Sequence, residues 1–374
     1  MDNRFRFRVA WTFVALICVT TWVCLTAVLY ISHEKFRLQN YYFYEREFSK
    51  NEADVGIKYR HIPPKKENIL PKDEDLFESR SLSGFPSISY SDYPDDIIAL
   101  HDVFISVKTS EKFHSTRLDL ILRTWWNTAK EQIYIFTDVD DNQLKNRTDG
   151  HIINTKCRRT HHRQDLSCKI GQEYDAFIES GKKWWCHFDD DNYVNVDALL
   201  RSLRNYNWKS DVYLGKPSIN HVVEAIYKGN KVHFWFATGG AGVCISRSLG
   251  EKMNSWSRHG KFQATSERLK LPDDCTLGFI INNRLGVELT KVDEFHSHLE
   301  QLSLIQQDKL SQQVSLSYFI DEDKGSNVIE LDKKISAYSI EDDPTRFLSL
   351  HCLINPKVDW CSKKKAMQRN QVNV

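Results

Sequence analysis

Lys182-Lys183-Trp184-Trp185-Cys186-His187-Phe188-Asp189-Asp190-Asp191-Asn192-Tyr193 is a short aromatic run that stops against three consecutive carboxylates. Its first half reads as a buried strand. A strand ending in Asp-Asp-Asp places negative charge at a sheet's carboxyl edge, where open α/β sheets take their ligands. Successive strand residues point to opposite sides, so three carboxylates can face one ion only if the chain turns there. With such a turn they would seat a hard, oxygen-seeking cation carrying a phosphate substrate. The bland alternative is a solvated acidic turn. The flanking sequence has to decide.

Upstream, residues 102–109 read as a buried strand, and Leu118, Ile121, Leu122 and Trp125 fall at the spacing of an amphipathic helix. Residues 132–137 form a second strand pattern, ending at Asp138. Leu166, Ile170, Tyr174, Phe177 and Ile178 line one face of a further helix, with Gly181 where a C-terminal cap is wanted. Downstream, Val196, Leu199, Leu200 and Leu203 mark a helix with Asn195 as candidate N-cap, and residues 212–214 are strand-like. Strand alternating with helix is the pattern of a mostly parallel sheet covered on both faces. The Asp-Asp-Asp then lies in a strand-to-helix loop. Neither a GxGxxG nor a GxxxxGK[ST] run is present, which leaves an acidic loop with a metal as the route to phosphate chemistry.

Beyond residue 231 the texture changes to aromatic, then glycine-rich, then apolar. Gly239, Gly240 and Gly242 fit either close approach of backbone to a ligand or strand, or a bend in the sheet. Asp273 and Asp274 precede a short helical face at Leu277, Ile280 and Ile281, so either caps that helix or serves as a catalytic carboxylate at its start. Phe295-His296-Ser297-His298 ends a weakly strand-like stretch. Histidines at i and i+2 on a strand share a face, so either or both could reach a metal.

The chain has 374 residues, room for a large core, and a net charge of +1, which gives no electrostatic reason to expect nucleic acid as a partner. Residues 9–31 carry no charge, Pro or Gly, long enough to cross a bilayer. Arg4, Arg6 and Arg8 precede them, which favours a signal-anchor with residues 1–8 cytosolic and the rest luminal. Residues 32–99 read as a proline- and charge-rich stem, 100–361 as the folded domain and 362–374 as a frayed tail. Cys18 and Cys24 lie in the apolar span. The other seven cysteines, in an oxidising lumen, would mostly pair, with one left over. Asn146-Arg147-Thr148 is an acceptable N-glycosylation sequon.

Seven motifs in order, FISVKTSEKFHSTRLDLILRTW (104–125), IFTDVDD (135–141), WWCHFDDDNYVN (184–195), VYLGKPS (212–218), HFWFATGGAGVCIS (233–246), LPDDCTLGF (271–279) and FHSHLE (295–300), closely resemble the Fringe glycosyltransferases. The similarity covers about residues 100–361; the stem and apolar span do not match in sequence but fit that family's type II Golgi layout. Release of the domain by stem cleavage stays open.

The resemblance implies a GT-A-like, Rossmann-type α/β domain with a mixed, mostly parallel sheet, following a single N-terminal transmembrane helix. It further implies a β-1,3-N-acetylglucosaminyltransferase that uses UDP-GlcNAc and Mn²⁺ to extend O-linked fucose on EGF-like repeats of Notch or its ligands, modulating Notch signalling. By the same match Asp191 binds the metal, Asp189 and Asp190 the nucleotide sugar, and Arg117 the donor. The family's base falls on Asp273, with Asp274 the alternative, and the metal histidine on His296 or His298. The implied disulfides are Cys157–Cys168, Cys186–Cys244 and Cys352–Cys361, leaving Cys275 unpaired. An α-linked donor sugar and a β-linked product require one inverting displacement, hence one base and no covalent enzyme intermediate. Two other readings compete: a related β-1,3-galactosyltransferase with another O-glycan acceptor, such as a core 1 enzyme, and a catalytically silent, membrane-anchored lectin or chaperone.

Overall fold

The structure, a computed structural model, describes residues 97–361. The expected cytosolic tail, membrane anchor and C-terminal tail, and almost all of the stem, lie outside the described residues. No helix of the described part is long and apolar enough to cross a membrane.

A seven-stranded sheet forms the centre. Its strands are β1 (Val103–Lys108), β2 (Ile133–Thr137), β3 (Ile152–Asn154), β4 (Trp184–Asp189), β6 (Tyr213–Gly215), β9 (Val243–Ser246) and β10 (Leu289–Lys291). In space they run β10-β6-β9-β4-β1-β2-β3. Every pairing is parallel except those of β9, which lies antiparallel between β4 and β6. This is the mixed, mostly parallel sheet that the resemblance implies. From β1 the chain builds outward to β2 and β3 on one side, then returns to place β4 on the other. The strand order therefore reverses between β1 and β4, and a crevice at such a switch point, outside the carboxyl ends, is where open α/β sheets bind ligands.

The period of two decides which side chains face which layer. Val103, Ile105 and Val107 of β1 and Trp184, Cys186 and Phe188 of β4 enter one core, shared with Leu118, Ile121 and Trp125 and with Leu199 and Leu203 of the helix Val196–Leu203. Phe104 and Trp185 enter the other, against Tyr174 and Phe177 of the long helix Arg163–Ser180. Burying each of these large side chains is worth about 1.5–3 kcal/mol. The two cap expectations hold. Gly181 ends the long helix at φ 68°, and the Asn195 side chain accepts from the Ala198 N–H.

Three smaller pairs complete the fold: β5 (Tyr193–Val194) with β11 (Ser315–Leu316), the hairpin β7 (Val223–Tyr227) with β8 (Asn230–Phe234), and β12 (Phe319–Asp321) with β13 (Gly325–Asn327). The glycine-rich segment resolves as close approach. Gly242 has φ 90°, and a Cβ there would sit 2.3 Å from the Phe188 ring. The disulfides are those the resemblance implies, Cys157–Cys168, Cys186–Cys244 and Cys352–Cys361, with Cys275 free and buried.

Candidate active site

At the carboxyl end of β4 the chain turns, with the Asn192 N–H donating to the Asp189 carbonyl at 3.1 Å. The solvated-turn alternative fails here, because Asp190 and Asp191 are buried. So does the idea that three carboxylates face one ion, since Asp189 and Asp190 each have partners of their own. Asp189 Oδ1 lies 3.2 Å from the Lys108 ammonium and 3.6 Å from His187 Nε2. Against the penalty of burial, these two cations hold its carboxyl far below the ordinary range. Asp190 accepts from Arg117 Nη1 at 2.9 Å and from the Thr109 hydroxyl at 2.8 Å. The Arg117 guanidinium also lies over the Phe113 ring.

Asp191 is left without a close cation. Arg117 is 3.8 Å away, His298 Nδ1 is 3.6 Å from Oδ2, and Oδ1 is buried with no hydrogen-bond partner. Burial, then the negative charge of Asp189, pushes its carboxyl up to about 8. A buried carboxylate oxygen without a partner is costly unless something else completes it.

The histidine pair separates. Phe295 makes a single isolated bridge to Ser315, so the run is not a strand, and the shared face expected for i and i+2 does not exist. His296 turns to Gln313 Oε1 at 2.8 Å and Glu300 at 3.2 Å, away from Asp191. His298 is the one brought to Asp191. Burial lowers its pKa, which keeps the imidazole in the neutral form that ligates metals. Among the described residues no three His, Cys, Asp or Glu side chains form a metal cage. One buried carboxylate with an orphaned oxygen and one neutral imidazole would still suit a divalent ion that takes its other ligands from outside the protein.

Neither aspartate of the second pair is the N-cap. The helix Asp273–Gly278 starts after Pro272, and no side chain caps it. Asp273 Oδ2 accepts from Lys108 Nζ at 2.7 Å. Asp274 has no close cation: the Gly239 N–H donates to Oδ2 at 3.3 Å and the Cys275 N–H to Oδ1 at 2.7 Å, and the buried Cys275 thiol also hydrogen-bonds to it. Burial, then the adjacent Asp273 charge, pushes the Asp274 carboxyl up to about 6. The glycine-rich segment joins the two halves, since Asn192 Nδ2 donates to the Gly240 carbonyl at 2.9 Å.

Three participants went unread in the sequence: Lys108, Thr109 and the buried pair Glu173–His187, whose Oε2 and Nδ1 are 2.6 Å apart. A signal was present. Ser106 and Lys108 in β1, with His187 and Asp189 in β4, alternate with large apolar residues in strands that pair directly, which puts all four on one face.

Residues 98–358 match the Fringe-like family. The chain is 48% identical over 294 residues to the β-1,3-N-acetylglucosaminyltransferase lunatic fringe of Danio rerio, covering 77% of this chain and 78% of that one. It is 51% identical over 271 residues to lunatic fringe of Bos taurus (71% and 70%), and 49% over 274 residues to radical fringe of Gallus gallus (72% and 73%). Every motif that shapes the crevice, from Lys108 to His298, lies within the matched span. The chain belongs to the Fringe-like family.

Proposed function

We infer that the chain is an inverting glycosyltransferase. It transfers N-acetylglucosamine from UDP-GlcNAc, in β-1,3 linkage, to O-linked fucose on EGF-like repeats of Notch-type proteins and so modulates Notch signalling. Its relatives are named β-1,3-N-acetylglucosaminyltransferases, which supports the sugar and the linkage. The observation that carries the reading is the pair of carboxylates left without a close cation at the β1/β4 crevice, Asp191 beside His298 and Asp274 on its amides.

The two divide the work. Asp191 and His298 are the residues that would hold Mn²⁺, whose charge, when bound, offsets the charge developing on the leaving diphosphate. Arg117 and Asp190 form a fixed pair at the donor's edge of the crevice. Asp274 is the base. The fucose 3-hydroxyl attacks the anomeric carbon, its proton passes to the Asp274 carboxylate, and the bond from that carbon to the β-phosphate oxygen breaks with release of UDP. A carboxyl near 6 is ionised at neutral pH yet more basic than an ordinary aspartate, the balance a general base needs. Asp273, the first choice from the sequence, is instead committed to Lys108.

The layout outside the described residues is proposed on sequence alone. It comprises a cytosolic tail at 1–8, a membrane anchor at 9–31, a luminal stem at 32–99, a tail at 362–374 and a Golgi location. Exposed Asn146 and three disulfides suit such a lumen. A gel shift on endoglycosidase treatment, absent in Asn146→Gln, checks the luminal side.

The test of function is transfer to an O-fucosylated EGF-like repeat, with and without Mn²⁺, for wild type and Asp191→Ala. We expect Mn²⁺-dependent transfer from UDP-GlcNAc, lost in the variant. Preference for UDP-Gal would establish the galactosyltransferase instead, and no turnover of either donor the lectin.

A further inference from the structure

A line of alternating charge crosses the sheet from behind it to the head of the helix Asp273–Gly278. Glu173, fully buried on the long helix, accepts from the Ser106 hydroxyl and pairs with His187 Nδ1. His187 Nε2 faces Asp189 Oδ1, Asp189 faces Lys108, and Lys108 donates to Asp273. Burial pulls the His187 imidazole down, but the Glu173 and Asp189 carboxylates together outweigh it and lift it to about 9. The signs therefore alternate: minus, plus, minus, plus, minus.

We propose that Lys108 is a positioning residue for the transfer step, its ammonium fixing the base-bearing helix against the turn that holds the donor. The proposal rests on the reaction and the base assigned above. Strand pairing sets one end, because Lys108 and Asp189 are direct neighbours in the β1/β4 register. The other end has no such support. Among the described residues the Asp273 carboxylate makes one hydrogen bond, to Lys108, across 165 positions of sequence. The Lys108 side chain is 11% exposed, so solvent screens the bridge little.

The same ammonium acts on the neighbouring base through charge. The titratable groups facing Asp274 are Asp273 and Cys275 on its own helix, Lys108 from β1 and Tyr213 from β6. Asp273 raises the proton affinity of Asp274 and Lys108 lowers it. Removing the two should move the base in opposite directions, which a merely structural contact would not do.

The experiment compares wild type with Lys108→Met, Lys108→Arg, Asp273→Asn and the double variant Lys108→Met/Asp273→Asn. Transfer from UDP-GlcNAc to the O-fucosylated repeat is followed over pH, with thermal melts alongside. Lys108→Met should lose about 10- to 100-fold in kcat with little change in donor KM, the cost of a small misplacement. Its acid limb should move up and that of Asp273→Asn down, each by about one pH unit. Lys108→Arg should recover most of the lost kcat. The double variant leaves neither Lys108 nor Asp273 as an unpaired charge but still takes the ammonium from Asp189, so it should melt no lower than Lys108→Met, keep its acid limb near the wild-type position and still be slow. The inference is overturned if folded Lys108→Met keeps wild-type kcat and acid limb, if both limbs move the same way, or if the double variant melts normally and transfers at the wild-type rate. A wild-type protein that transfers nothing would instead sink the function proposed above, and this inference with it.

Discussion

The Asp189-Asp190-Asp191 turn after β4 and the Asp273-Asp274 pair at the start of its helix are both short acidic runs at the edge of one crevice. Their surroundings differ in kind. In the first, strand geometry and an arginine sort three neighbours into different surroundings: Asp189 with Lys108 and His187, Asp190 with Arg117 and Thr109, and Asp191 beside His298 with Arg117 only at 3.8 Å. In the second, a helix start leaves one carboxylate on Lys108 and the other on backbone amides. Each run thus holds one member neutralised by the shared Lys108 and one left open. Residue type does not mark the reactive carboxylate. The absence of a close cation does.

The largest effect should come from Asp191→Asn. We expect kcat/KM for UDP-GlcNAc to fall about a thousandfold or more, as several kcal/mol of charge stabilisation is lost. The melting temperature should hold or rise, because an unpartnered buried carboxylate has been removed. Equal losses in Asp189→Asn and Asp191→Asn would break the division within the first run. Next comes Asp274→Asn, with an expected 10²- to 10⁴-fold fall in kcat and UDP affinity near wild type by calorimetry. Asp273→Asn should cost much less. Reversal of that order would return the base to Asp273.

Arg117→Ala sharpens the contrast on the stability side. It strands Asp190 as a buried charge, which we expect to lower unfolding free energy by about 2 kcal/mol, less than for a fully buried pair because the guanidinium is partly in water. Urea unfolding measures it.

The smallest effect separates two buried histidines. His187, raised to about 9, contributes stability that is complete below its ordinary 6.5 and lost as pH rises through about 9. His351, lowered by burial to about 4, contributes stability that is complete above 6.5 and lost as pH falls through about 4. Melts across pH should show His187→Gln flattening only the alkaline limb and His351→Gln only the acid limb.

Legibility from the sequence follows the range of the interactions. β1, β4, the helix Arg163–Ser180 and the caps at Gly181 and Asn195 are local patterns, and they read correctly. The insertion of antiparallel β9 between β4 and β6 is a pairing across dozens of residues, with no local signature. The FHSH run misled for a related reason, since its strand-like look is not backed by a ladder and only His298 reaches Asp191. The alternation in β1 puts Lys108 on the polar side of its strand but does not say what it meets, because a lysine at a strand end ordinarily reaches water. Only its pairing with Asp189 and Asp273, from two distant parts of the chain, makes it part of the crevice.

One feature of the fold bears on covalent connectivity. Cys186 and Cys244 join β4 to β9 where the strands pair in register, closing a segment of sequence separation 58 that contains the β7–β8 hairpin. The hairpin's tip, Lys228-Gly229, is exposed. A protease nick there would leave both pieces in one molecule, migrating as a single band until a reductant is added. Because the site turn and the glycine segment lie on the two sides of that bond, such a nicked protein should still bring Asp191 and Asp274 to the same crevice.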